Sequence, residues 1–67
     1  GETNPLTERE REVLELVADG LNTKEIAEEL HLKAGTVRNY ISTILDKLAV
    51  KNRIEAITHS KEKGWFK

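Results

Sequence analysis

A chain of 67 residues with no cysteine and a formal charge of −1 has room for one domain and a modest core. The missing thiols exclude a disulfide framework and a cysteine-held metal, so packing alone must hold the fold, which suits a reducing cytoplasm. No apolar run approaches the roughly 20 residues of a bilayer span and no signal peptide is visible, so no membrane is expected.

The opening "GETNP" reads as a tag remnant or linker over residues 1–5, and the sequence holds no methionine. The domain is therefore expected to cover 6–67 and to be cut from a longer protein. Thr7, with Glu10 three residues on, has capping-box spacing, in which each side chain bonds the other's backbone amide. Val13, Leu14 and Val17 follow at helical spacing and Gly20 offers a left-handed stop, giving a first helix over about 8–19. Its acids Glu8, Glu12, Glu15 and Asp19 fall largely off that stripe. Asn22 and Glu25 repeat the cap and open a short second helix through Leu30, with Ile26, Ala27 and Leu30 inward. "HLK" is then a turn in which His31 takes an unusual backbone angle.

A third helix is expected from about Ala34 to Leu48, with Val37, Ile41, Ile44, Leu45 and Leu48 on its apolar face. "AVK" connects it onward with Val50 inward. Asn52 and Glu55 give a third cap of the same design, opening a fourth helix to about Lys63. Gly64 ends it, and Trp65–Phe66 fold back or hang free. Leu6 and Leu32 sit at connectors, where they can plug the ends of the core. The predicted fold class is all-α, with four helices and no strand or repeat.

The net charge hides a pattern. Residues 1–30 hold nine acids against three bases, whereas 33–53 hold five bases (Lys33, Arg38, Lys47, Lys51, Arg53) against Asp46 alone. The distribution matters more for a polyanionic partner than the total.

No spacing of a triad, phosphate loop or metal site is present, and His31 and His59 lie too far apart to suggest a metal pair. Neither an enzyme nor a cofactor is expected. A short helix, a three-residue turn and a longer helix are the parts of a helix-turn-helix, whose second helix enters the major groove of DNA. On the third helix Arg38 and Ser42 share one stripe, and Asn39 and Thr43 the next. Arginine can bond guanine O6 and N7 together, and asparagine adenine N6 and N7. Ser42 and Thr43 are short enough to permit close approach. This face lacks the Glu/Lys pairs of a merely solvated helix, its one acid lies near the far end, and Lys33, Lys47, Lys51 and Arg53 flank it where they can take phosphates.

The stretch Leu6–Ala56, with "LTERE", "KEIAEEL", "TVR", "ILDKL" and "NRIEA", resembles the DNA-binding effector domain of the LuxR family, in the NarL/FixJ class of response regulators. "GTVRNYIS" with a terminal "KGW" further resembles its DesR-like branch, regulators of membrane lipid composition. The resemblance implies a tetrahelical helix-turn-helix whose third helix reads double-stranded DNA and whose fourth forms a weak homodimer contact. It places base reading at Arg38, Asn39 and Ser42, phosphate contacts at Lys24, Thr36 and Lys47, and the dimer side at Ile54, Ile57, Thr58 and Lys61. The fourth helix must also bury something, and Ala56 with Ile57 can face inward while Ile54 and Thr58 face a partner. It also implies an N-terminal receiver domain outside this chain, phosphorylated by a histidine kinase. The acidic face of the first helix is a candidate contact for RNA polymerase, with solvated surface as the plainer account.

Two positions depart from the family pattern. Lys33 stands where Ser or Thr is common and cannot cap, so the first amides of the third helix lack a local acceptor unless Thr36 caps later and the helix starts at Val37. A DNA phosphate on those donors, with charge from Lys33 and clearance from Gly35, is the expected solution. Thr43 and Lys51 complete the backbone-contact candidates. Tyr40 replaces a common histidine and is expected to be partly buried rather than on a phosphate. Two rivals remain: a sigma-factor region, against which "NRIEA" argues, and a small helical protein-interaction module whose basic stretch docks an acidic partner.

Overall fold

The computed structural model describes residues 4–65. Four α-helices make up the fold, α1 (Glu8–Ala18), α2 (Thr23–Leu30), α3 (Ala34–Leu48) and α4 (Arg53–Glu62), with no strand among the described residues. The bounds expected for α3 hold, and α1 and α4 each stop one residue early. Gly1–Thr3 of the expected linker and Phe66 lie outside the described residues. Asn4, at the linker's end, accepts a hydrogen bond from the Leu6 amide at 2.9 Å.

The caps explain where the helices begin. Thr7 and Glu10 bond each other's amides at 3.2 and 2.8 Å, and Asn22 and Glu25 do so at 2.9 Å each. The third cap differs from expectation. Asn52 accepts from the Glu55 amide at 2.9 Å, but Glu55 accepts from the Lys51 amide instead of that of Asn52. Asn52 is more extended (φ −152°) than Thr7 (−70°) or Asn22 (−85°), which turns its own amide away and brings the preceding one into reach.

All four helices end alike. A positive-φ residue, Gly20 (95°), His31 (58°), Ala49 (56°) or Gly64 (73°), reverses the chain. The next residue then returns its amide to a carbonyl five positions back: Leu21 to Leu16, Leu32 to Ala27, Val50 to Leu45 and Trp65 to Ser60, at 2.8–3.1 Å. This is the Schellman arrangement, and each of those four apolar residues is half-buried against the core, as the motif favours. Trp65 therefore folds back and does not hang free, with its ring edge-on to His59 at 5.5 Å between centroids.

Helix α3 is the centre of the domain. Its Val37, Ile41, Ile44 and Leu48 are buried against Val13, Leu14 and Val17 of α1, Ile26 and Ala27 of α2, and Ala56 of α4, with Leu6 closing one end. α3 packs on each of the other helices, whereas α2 and α4 do not meet. Leu30, Leu45 and Val50 are half-buried, less enclosed than their place in the apolar pattern suggests. The one departure of consequence is Glu10, a buried acid on the helix whose acids were expected to face solvent.

Candidate nucleic-acid interface

The turn between α2 and α3 fixes the geometry. His31 adopts the left-handed conformation, Leu32 docks on the core, and Lys33 takes the extended N-cap conformation (φ −83°, ψ 149°) from which α3 starts. Lys33 makes no side-chain cap bond, and the Val37 amide already bonds the Lys33 carbonyl at 3.1 Å. The helix thus begins at Ala34, and the later start at Val37 with Thr36 as cap does not occur. The amides of Ala34, Gly35 and Thr36 precede that first bond and have no intrahelical acceptor.

Opposite the buried row of α3, Thr36, Arg38, Asn39, Ser42, Thr43 and Asp46 are exposed. One face therefore presents the Arg38–Ser42 and Asn39–Thr43 stripes together. Gly35 lies at its N-terminal end, where an added Cβ would meet only the Arg38 Nη2, at an ordinary 3.8 Å. The fold itself makes no demand for glycine there. Lys24, Lys33, Lys51 and Arg53 are exposed on or beside the connectors. On α4, Ile54 is 73% exposed and Thr58 and Lys61 are exposed, while Ile57 packs against the core. The structure so divides the four expected dimer residues.

These two observations, an uncapped α3 and an exposed polar face on it, sit within a chain that also matches known proteins. Residues 4–60 fit the model of the bacterial regulatory proteins of the luxR family. The chain belongs to that family. It is 82% identical over 66 residues to the transcriptional regulatory protein DesR of Bacillus subtilis, covering 98% of the chain and 33% of that protein. It is 49% identical over 59 residues to the spore germination protein GerE of the same organism, covering 88% of the chain and 80% of GerE. The solved structure of the transcription factor GerE superposes with a TM-score of 0.86 at 39% identity, over 92% of each chain. The response regulator ChrA of a heme-sensing two-component system gives 0.87 at 30% identity, over 98% of this chain and 33% of its own. The chain thus spans about a third of DesR and of ChrA. It is a LuxR-type DNA-binding domain of a transcriptional regulator, a family of regulators and not of enzymes.

Within this LuxR-type domain one side of the exposed polar face of α3 has a neighbour that sequence reasoning missed. Glu10 of α1 joins Thr36, Asn39, Tyr40 and Thr43 around a shallow cleft. Its Oε1 accepts from the Lys47 Nζ at 2.8 Å and from the Thr7 amide at 2.8 Å. Burial pushes the Glu10 carboxyl up, but the Lys47 hydrogen bond, the Thr7 amide and the Lys47 charge outweigh it and hold the pKa below the usual glutamate value. The cap at position 10 was legible; its partner 37 residues away was not. Lys47, expected on a phosphate, thus already has a carboxylate partner. Tyr40 is half-buried against the core, as expected.

The acids gather elsewhere. Glu12, Glu15 and Asp19 of α1 and its C-terminus line an open groove with Glu29 at the end of α2 and Lys61 of α4, floored by Leu16, Ala18 and Leu30. No α3 residue lines it. Among the described residues no cluster of His, Asp or Glu is placed to hold a metal ion, and no helix is long and apolar enough to cross a membrane.

Proposed function

We propose that this domain is the sequence-specific output module of a two-component response regulator, acting in the cytoplasm as a binding module without catalysis. Arg38, Asn39 and Ser42 read base edges in the major groove. Lys24, Lys33, Thr36, Thr43 and Lys51 meet the backbone. A phosphate accepts from the free amides at the start of α3, with Gly35 giving it room and Lys33 adding charge. Two copies bind half-sites about one helical turn apart and touch weakly through Ile54, Thr58 and Lys61 of α4. A receiver domain N-terminal to this chain, phosphorylated by a histidine kinase, supplies the signal, and the acidic groove away from α3 is where RNA polymerase can be met while DNA is bound.

The observation that carries this reading is the solvent-facing side of α3. It offers bidentate donors at adjacent stripes, no acid before Asp46, and an N-terminus that the protein leaves uncapped. Selection of bound sites from random duplex DNA tests it. A recurrent motif with paired half-sites is the expected result. Binding without enrichment of any sequence would reduce the domain to a non-specific or protein-binding role.

A further inference from the structure

Lys47 ends the polar side of α3 beside the shallow cleft, at the edge of the face that meets DNA, and a free ammonium there would bond phosphate on any sequence equally. The structure gives that ammonium another partner. The Glu10 side chain is only 6% exposed, and the same oxygen that takes Lys47 also accepts from the Thr7 amide, so the capping box has already fixed it in place. An ion pair made by a pre-oriented, enclosed carboxylate loses less conformational freedom than one made between two mobile surface chains. It also ties the first turn of α1 to the C-terminal half of α3, beneath Asn39 and Thr43.

We propose that Glu10 is a positioning residue that sets the domain's sequence-independent affinity for DNA: it holds the Lys47 ammonium against α1 and keeps it from acting as an indiscriminate phosphate contact. The pair costs the domain one cation's worth of sequence-independent affinity and leaves discrimination to Arg38, Asn39 and Ser42. Glu10 touches no base and acts only through Lys47 and the seating of α3.

The test is the salt dependence of binding to a random-sequence 20-base-pair duplex, with the domain's own selected site in parallel. The match takes in 80% of GerE, which supports using this 67-residue chain alone. Glu10→Gln keeps an oxygen for the Thr7 amide but removes the carboxylate charge that holds Lys47, so a phosphate can outcompete the neutral hydrogen bond that is left. It should steepen the log–log salt slope by about 0.9, an extra loss of about 3.5-fold in affinity between 50 and 200 mM salt. At low salt the random duplex and the selected site should gain alike, so binding to unselected DNA rises while the ratio of the two affinities holds. Lys47→Met should leave the slope unchanged in the wild-type background and remove the added slope in the Glu10→Gln background. Glu15→Gln, an exposed carboxylate in the acidic groove, controls for charge at large, and thermal melts show that each variant is folded at the assay temperature. An unchanged slope in Glu10→Gln, an equal change in Glu15→Gln, or a flatter slope from Lys47→Met alone would each overturn the proposal. The inference rests on DNA binding by the domain: failure of the wild-type chain to bind either duplex would instead defeat that reading.

Discussion

Replacing Gly35 by alanine separates what the fold needs from what DNA needs. Gly35 is the second residue of α3, with ordinary helical backbone and not the left-handed conformation. Glycine inside a helix is less stable than alanine by about 0.5–1 kcal/mol, and the smaller figure suits a first turn. The added methyl would lie 3.8 Å from the Arg38 Nη2, the end of a flexible side chain, so no clash offsets the gain. Gly35→Ala should therefore stabilise the domain by about 0.5 kcal/mol, a rise of about 2–4 °C in Tm for a chain of this size. The same methyl stands beside the amides proposed to hold a phosphate and beside the guanidinium proposed to read a base. Losing one hydrogen bond to a charged oxygen is worth about 1.5 kcal/mol, or roughly tenfold in Kd. Thermal melts followed by circular dichroism and titration of the selected duplex measure both quantities. A variant that is more stable and binds as tightly as wild type would refute the proposed phosphate site. A less stable variant would show that the fold, and not DNA, requires the glycine.

Four other outcomes follow from the same geometry. Lys33→Ser supplies the missing cap and should fold at least as well, by up to about 1 kcal/mol, yet bind DNA more weakly; equal or tighter binding would remove the phosphate from the start of α3. Arg38→Ala should relax preference at one base pair by about 1–3 kcal/mol in a repeated site selection, and a preference unchanged at every position would take Arg38 off the bases. Ile54→Glu, at a residue 73% exposed, should change stability by less than about 0.5 kcal/mol while abolishing the cooperativity of two-half-site binding and sparing a single half-site. Because the Glu10 pKa is lowered on folding, its stabilisation is complete above the unfolded value near 4.5 and is lost as pH falls through the folded value. Chemical denaturation across pH 2–7 should therefore show a shallower acid loss in Glu10→Gln than in wild type.

What could be seen in the sequence was local. Thr7 with Glu10 and Asn22 with Glu25 are separated by three residues, so the groups that bond are written side by side. The apolar rows on α1 and α3 repeat every turn, and hydrophobic burial needs only that period to choose a face. His31 was legible because a turn of three residues must reverse the chain somewhere. Ala49 was not, since alanine carries no sign of the left-handed conformation it adopts between buried Leu48 and half-buried Val50. Glu10 was half legible. Its bond to Thr7 is a local signal, but its burial depends on where α3 crosses α1, and nothing in the spacing of 10 and 47 encodes that crossing. On α4 the two faces were legible: Ala56 and Ile57, read as inward, are buried and half-buried, and Ile54 and Thr58, read as outward, are exposed.

The formal charge of −1 is thus a sum over separate surfaces. Glu12, Glu15, Asp19 and Glu29 collect around a groove that no α3 residue enters, and the most enclosed acid near α3, Glu10, is matched by Lys47. What faces outward from α3 and its flanking connectors is Arg38 with Lys33, Lys51 and Arg53 against Asp46. A domain charged in this way has a direction as well as a net charge. A polyanion approached groove-first is repelled and one approached α3-first is attracted, so the field favours encounters in which the reading face leads. Neutralising Glu15 and Asp19 would raise overall attraction to DNA while weakening that orientation, which is why association rate and equilibrium affinity need not rise together in such a variant.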